Sequence, residues 1–93
     1  MMMNFNRNIQ FTKLLKAEGR LREFNFRKLT GLHEGLMTVD VSDDRGNRIM
    51  FTMQKNGNGW SFHNDFVLPD WINDQEHNLS DMIEEELRQL IGD

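Results

Sequence analysis

The sequence predicts an α+β fold: a four-stranded antiparallel meander with a C-terminal amphipathic helix packed on one face. Two observations lead to this prediction. Four segments between residues 22 and 64 alternate apolar and polar residues and are separated by turn residues, which is typical of half-buried strands. The last segment repeats apolar residues at helical spacing instead. With 93 residues the chain is expected to form one domain, residues 1–93, and we expect residues 1–8 to be poorly ordered.

The N-terminal segment "NIQFTKLLKAEG" fits two structures. As a short N-terminal helix it would place Phe11, Leu14 and Leu15 on one face and would end at Gly19. As a strand it would place Ile9 and Phe11 on one face by simple alternation. We predict the short helix and keep the strand as the alternative.

The four alternating segments follow in order along the chain. They are "REFNFRK" (22–28), "LMTVDVS" (36–42), "RIMFTMQ" (48–54) and "GWSFHN" (59–64). Their apolar residues fall on one face and form the predicted core of the sheet: Phe24, Phe26, Met37, Val39, Val41, Ile49, Phe51, Met53, Trp60 and Phe62.

The stretch "DVSDDRGNR" resembles a calcium-binding loop, because Asp40, Ser42 and Asp44 alternate in it. A calcium loop of the EF-hand type starting at Asp40 requires Gly at its sixth position and Glu at its twelfth. This chain has Arg45 and Phe51 there. The stretch is therefore predicted to be a hairpin turn.

The same turn sets the register of two strands. A type I turn at Asp44-Arg45 followed by Gly46 in the left-handed conformation gives a three-residue hairpin loop. The resulting register pairs apolar with apolar residues: Val41 with Ile49, Val39 with Phe51, and Met37 with Met53. A shift by one residue would turn every apolar side chain to the wrong face.

The next turn lies in "KNGNGW". Asn56-Gly57 is predicted to form a two-residue type I′ loop. That loop would pair Met53 with Trp60 and Phe51 with Phe62.

The C-terminal helix is predicted to begin at Asn78, which can cap its first turn. Its apolar stripe comprises Leu79, Met82, Ile83, Leu87, Leu90 and Ile91. The run of three Glu at 84–86 is expected on the solvated helix surface, and Gly92 is a helix stop.

Composition excludes several kinds of site. The chain has no Cys, so disulfides and thiolate zinc sites are excluded. The three histidines, His33, His63 and His77, have no second His or Cys at ligand spacing. We therefore expect no metal, no cofactor and no enzyme activity. The chain lacks an apolar run of about 20 residues, so a membrane span is not expected, and a cytoplasmic location is predicted.

The first functional hypothesis is a small, soluble, non-catalytic interaction module that binds another protein or forms a homodimer. Its candidate partner-binding residues are Trp71, Met50 and His63. Trp71 follows the only Pro and would either cover the edge of the core or act as an exposed anchor. Met50 and His63 lie on the predicted polar face of the sheet, whose edge strands are expected to be 22–28 and 59–64.

The second hypothesis is binding of single-stranded nucleic acid. Four antiparallel strands followed by a long helix over residues 22–91 is similar to the element order of the Pur-repeat and positive-coactivator single-strand-binding proteins. This resemblance implies a basic groove with stacking aromatic residues, for which Arg20, Arg22, Arg27 and Lys28 are the candidates. Residues 1–30 carry seven Lys/Arg and two Glu, whereas residues 31–93 carry four Lys/Arg and thirteen Asp/Glu. The acidic balance makes nucleic acid the less favoured partner.

Overall fold

The computed structural model describes residues 8–29 and 35–90. They form strands β1 (Asn8–Ala17), β2 (Arg20–Leu29), β3 (Leu36–Ser42), β4 (Arg48–Asn56) and β5 (Gly59–Phe62), followed by helices α1 (Asp70–Asn73) and α2 (Glu76–Leu90). The strands form one antiparallel sheet in the order β1-β2-β3-β4-β5. The α+β class and the meander are confirmed, with five strands rather than four.

Three sequence-based expectations fall on residues outside this range. They are the poor order of residues 1–8, the place of Ile91 in the apolar stripe and the helix stop at Gly92. Asn8 is the exception, since it is the first residue of β1.

The predicted N-terminal helix is wrong, because residues 8–17 form strand β1. Ala17 pairs with Arg20 across a two-residue loop of Glu18 and Gly19, whose φ angles are 56° and 77°. Two positive φ angles are the signature of a type I′ hairpin turn, so Gly19 closes a hairpin instead of ending a helix. Phe11 and Phe26 stack across the pair, with ring centroids 4.7 Å apart.

The hairpin between β3 and β4 is confirmed in its register and in its turn. The Gly46 amide donates to the Asp43 carbonyl at 3.0 Å, the Asp43 amide donates to Asn47 O at 2.8 Å, and Gly46 has φ 85°. Val41 pairs with Ile49, Val39 with Phe51 and Met37 with Met53. The Asp43 carboxylate accepts the Asn47 and Arg45 amides, and the bond from Asn47 is the largest cause of its lowered pKa.

The predicted loop between β4 and β5 is wrong by one residue. The loop residues are Gly57 and Asn58, so Asn56 pairs with Gly59 and Met53 pairs with Phe62. Gly57 has φ 66° at the first loop position, where type II′ turns place Gly. Moving the loop by one residue shifts the strand pairing by two, and the inward face is preserved.

The core lies between the inward face of the sheet and the helices. All ten predicted core residues of the sheet are buried or packed against the buried cluster. From the part of the chain after β5, the loop residue Leu68 and the helix residues Ile72, Leu79 and Ile83 complete this cluster. We refer to the opposite face of the sheet as the outer face.

Helix α2 begins at Glu76, so the predicted start at Asn78 is wrong. The Leu79 amide donates to Gln75 O at 2.8 Å, which places Asn78 within the first turn. The Asn78 side chain donates to Gln75 Oε1 rather than capping the helix. The stripe is confirmed for Leu79 and Ile83, which are buried, and for Met82 and Leu87, which pack against the core cluster, whereas Leu90 is exposed.

Candidate partner-binding surface

Strand β5 is an edge of the sheet, and α2 satisfies two of its outward-directed backbone groups. The Trp60 amide donates to Ser80 Oγ at 2.8 Å, and the Phe62 amide donates to Glu76 Oε2 at 2.9 Å. A Cβ at Gly59 would lie 2.9 Å from Ser80 Oγ, so the helix approaches this strand closely. The helix therefore covers β5 and leaves little room for an additional strand.

Two glutamates of α2 contact side chains of the sheet. Glu84 Oε2 accepts Lys55 Nζ at 2.6 Å and Trp60 Nε1 at 2.8 Å. The hydrogen bond from Lys55 is the main reason that the pKa of Glu84 is lowered. Glu86 forms an ion pair with Lys13 of β1 at 3.0 Å. The run 84–86, expected on the solvated surface, therefore ties the helix to three strands.

Strand β1 is the other edge, where strand 22–28 was expected. Ala17 and Arg20 flank the two-residue loop, and residues in that position exchange both backbone hydrogen bonds. Hydrogen-bonded and non-hydrogen-bonded residue pairs alternate along an antiparallel ladder. Since Ala17 belongs to a hydrogen-bonded pair, the other odd-numbered residues of β1 also hydrogen-bond to β2. Gln10, Thr12, Leu14 and Lys16 therefore direct their N–H and C=O groups away from the sheet. Within residues 8–29 and 35–90, β2 is the only strand that pairs with β1.

Exposed apolar side chains lie beside this edge on the outer face. Leu14 is 61% exposed and Leu21 is 68% exposed. Leu14 pairs with Glu23, and Leu21 pairs with the exposed Lys16, so the two leucines are diagonal neighbours. Together they form a small apolar patch at the turn end of the β1–β2 hairpin.

A row of polar side chains crosses the outer face next to this patch. Thr12 Oγ1 donates to Asn25 Oδ1 at 2.7 Å, and Asn25 Nδ2 donates to Asp40 Oδ1 at 3.0 Å. Arg48 Nε lies 3.8 Å from the same Asp40 oxygen. These residues line a shallow depression of about 400 Å³ that Gln10 and Arg27 complete. Their hydrogen bonds fix β1 to β2 and β3 through side chains as well as backbone.

The structure places Trp71 against the core and beneath an arginine. The Arg22 guanidinium carbon lies 4.1 Å from the centroid of the Trp71 ring, and Arg22 Nε donates to Ala17 O at 2.9 Å. Trp71 is half-buried and packs on the core cluster, in the position of a lid. The exposed apolar residues of this region are its neighbours Phe66 and Val67, 52% and 92% exposed.

Met50 and His63, the other two candidate partner-binding residues, are both exposed. Met50 is 47% exposed and pairs with Asp40 on the outer face. His63 follows β5, and its backbone N–H donates to Thr52 O at 2.9 Å. Trp71 packs on the core side of the sheet, so it does not share the outer face with Met50.

The four basic residues proposed for nucleic acid lie at opposite ends of β2. Arg20 and Arg22 lie at the turn end, where both contact Asp44 Oδ1, at 2.8 Å and 3.0 Å. Arg22 is buried, whereas Arg27 at the other end is exposed and Lys28 is half-buried. Phe24, Phe26 and Trp60, which were predicted to lie on the core face of the sheet, are buried there and cannot stack on bases. The structure does not bring these basic residues and exposed rings into one groove.

The β1 edge was missed at the level of sequence because residues 8–19 were assigned to a helix. Glu18-Gly19 between two alternating segments is the signal that favours a hairpin, since Gly fits the second position of a two-residue loop. The exposure of Phe66 and Val67 could not be predicted in this way, because an apolar pair in a loop is equally compatible with a buried position in the core.

Comparisons with known proteins give no relative from which a role could be taken. No family model matches the chain, and neither a curated protein nor a solved structure is significantly similar to it. No helix in residues 8–29 and 35–90 is long and apolar enough to cross a membrane. In the same part of the chain, no group of three or more His, Asp or Glu side chains is arranged to hold a metal ion.

Proposed function

We propose that this protein is a small, non-catalytic interaction module that binds an extended protein segment as a sixth strand on the outer edge of β1, with which no strand of residues 8–29 and 35–90 other than β2 pairs. The observation that carries the proposal is the difference between the two edges. Side chains of α2 bond to the outward backbone groups of β5, whereas β1 directs those of four consecutive even-numbered residues outward. A regular, unpaired edge is the surface on which strand addition operates.

Two features of β1 support this role. Its register with β2 runs without interruption from Ala17 to Asn8, so the edge keeps regular hydrogen-bonding geometry over ten residues. β1 also contains no Pro. Bulges and prolines are common means by which proteins block an edge strand.

The test uses a pair of variants at one residue of β1. Thr12→Pro removes an outward N–H while leaving the bonds to β2, because Pro is tolerated where the N–H faces solvent. Thr12→Val keeps the N–H, and both variants lose the bond from Thr12 to Asn25. The ligands are peptides selected on the native protein from a random display library.

We expect selected peptides to bind the native protein and Thr12→Val alike, and to bind Thr12→Pro at least tenfold more weakly. In the free protein, amide hydrogen exchange should be slow at Lys13 and Leu15 and fast at Thr12 and Leu14. Equal affinity for the Pro and Val variants, or four equally slow amides in the free protein, would overturn the proposal.

Nucleic-acid binding remains the alternative prediction, with weaker support. Arg22 is buried against Trp71, and Arg20 is paired with Asp44. Anisotropy of labelled single-stranded DNA and RNA at low and high salt tests it, because phosphate contacts weaken steeply as salt rises.

A further inference from the structure

We infer that the segment recruited by β1 is acidic, with carboxylates placed opposite the two lysines of the strand. This inference rests on the proposed function and names the chemistry of its ligand. It follows from the charge of the β1–β2 hairpin, from the alternation of side chains along β1 and from the absence of a carboxylate in the β1 of a second copy.

The charges of the described residues are strongly segregated. Residues 8–29, the β1–β2 hairpin, carry six Lys/Arg and two Glu, a net charge of +4. Residues 35–90 carry four Lys/Arg and eleven Asp/Glu, a net charge of −7. The open edge therefore lies in the part of the sequence with the positive net charge, within which Arg20 and Arg22 are paired with Asp44 and Lys13 with Glu86. A charged surface attracts ligands of opposite sign and raises their association rate.

The lysines of β1 lie on its two faces. Lys16 is exposed on the outer face. Lys13 lies on the core side, 3.0 Å from Glu86, with its side chain 35% exposed. That pair is accessible to solvent, and an ion pair of this kind holds its lysine only weakly. A carboxylate on an added strand can therefore approach each lysine from the open side of β1.

The remaining positions of β1 favour apolar partners. Phe11 and Leu15 pack against the core cluster at its edge, and Leu14 is exposed on the outer face. In an antiparallel pair, residues directly opposite point to the same face. An antiparallel strand that fits β1 therefore places its residues opposite positions 16, 15, 14, 13, 12 and 11 in turn. In that order its residues are acidic, apolar, apolar, acidic, Thr or Ser, and apolar.

A second copy of the chain offers the lysines of this edge no carboxylate from its own β1. β1 contains two lysines and no Asp or Glu, so two β1 strands would bring four lysines together without a carboxylate. A two-fold pairing centred on Lys13 would set this lysine directly opposite its copy, which is destabilising. Lysines on an edge strand thus disfavour self-association and leave an acidic strand acceptable.

The probes are two labelled peptides with short polar ends. The acidic peptide carries the central sequence Glu-Val-Val-Glu-Thr-Val, and the basic peptide replaces both Glu by Lys. The same two peptides with reversed order allow for parallel addition. Binding to the full chain is measured by fluorescence anisotropy at low and high salt. The protein variants are Lys16→Glu, its neutral control Lys16→Gln, and the Thr12→Pro and Thr12→Val pair.

We expect the acidic peptide to bind at least tenfold more tightly than the basic one at low salt, with a smaller ratio at high salt. Lys16→Glu should reduce the affinity for the acidic peptide about tenfold and raise that for the basic peptide, with Lys16→Gln between them. Thr12→Pro should abolish the binding of either peptide, and Thr12→Val should not.

Four outcomes would overturn the inference. Acidic and basic peptides that bind equally would remove the role of charge. A dimer in sedimentation analysis that Thr12→Pro dissociates would assign the edge to a second copy. Library-selected peptides without acidic residues that bind in a manner sensitive to Thr12→Pro would refute the acidic ligand and leave the proposed function standing. If no peptide of any kind binds in that manner, the proposed function fails with it.

Discussion

Replacing Gly59 by Ala tests the contact through which α2 covers strand β5. A Cβ at Gly59 would lie 2.9 Å from Ser80 Oγ, which is too close for a non-bonded contact, so the methyl group or Ser80 would have to shift. Ser80 is held in place, because its Oγ accepts the Trp60 amide at 2.8 Å. Overpacking of this kind costs about 1–3 kcal/mol. We expect Gly59→Ala to lower the free energy of unfolding by that amount.

The same substitution should have the opposite effect when Ser80 is Ala. Ser80→Ala alone leaves the buried Trp60 N–H without a partner, which costs about 1–3 kcal/mol. It also removes the oxygen that the new methyl group would meet. Gly59→Ala in this background then acts mainly by restricting the unfolded chain and should stabilise the protein by about 0.4–1 kcal/mol. The two substitutions are therefore expected to couple by about 2 kcal/mol.

Urea unfolding of the four proteins, followed by tryptophan fluorescence, measures this coupling. Gly57→Ala is the matched control. Gly57 has φ 66°, and a Cβ there meets nothing within 4 Å. Its cost comes from backbone strain and should be the same with Ser80 or Ala at position 80. If Gly59→Ala costs the same free energy in both backgrounds, the close contact with Ser80 does not limit the residue at this position.

Three further predictions concern stability. Glu18 has φ 56° in the β1–β2 turn, so Glu18→Asn should stabilise the protein by about 1 kcal/mol in urea unfolding; no gain would contradict the type I′ assignment. Arg22→Lys keeps the charge but loses the planar contact with Trp71, and we expect a loss of about 1–2 kcal/mol in the same assay, whereas native stability would show that this contact contributes little. The pKa of Glu84 is lowered by Lys55, so its contribution is present above the unfolded-state pKa and is lost as pH falls through the folded-state pKa. Glu84→Gln should therefore flatten the fall in stability at acid pH, and an unchanged slope would refute the linkage.

The hairpin of β3 and β4 could be predicted residue by residue because local and global signals agree there. Each strand alternates strictly, and Gly46 supplies the one left-handed residue that the loop needs. The β4–β5 turn was less determined, since both Asn56-Gly57 and Gly57-Asn58 are favourable two-residue loops. Both choices keep Trp60 inward, so the core could be predicted even though the register could not.

Strand β1 was predicted only as the alternative to a helix, because its core-facing side is not uniformly apolar. Lys13 interrupts the alternation, and the sequence offers no reason for a lysine there. The reason is tertiary: Lys13 reaches Glu86 on α2, a residue far away in the chain. The start of α2 escaped prediction for a related reason, because Glu76 bonds to the Phe62 amide, so what fixes this end of the helix is a contact with the sheet.

The contacts of α2 with the sheet also decide where the candidate site lies, because they determine which edge of the sheet the helix covers. α2 has 15 residues and is about 22 Å long; it covers the four-residue strand β5 with Glu76 and Ser80, one helical turn apart. β1 has ten residues and extends about 33 Å, a length that this helix cannot also cover. Its register stays regular, with charge in place of a bulge or a Pro as the control on pairing. Blocking an edge by shape excludes every strand, whereas blocking it by two lysines excludes cationic strands and permits anionic ones. Under the proposed function, selection by charge is therefore the property expected of this edge, and the affinity difference between acidic and basic peptides is its direct measure.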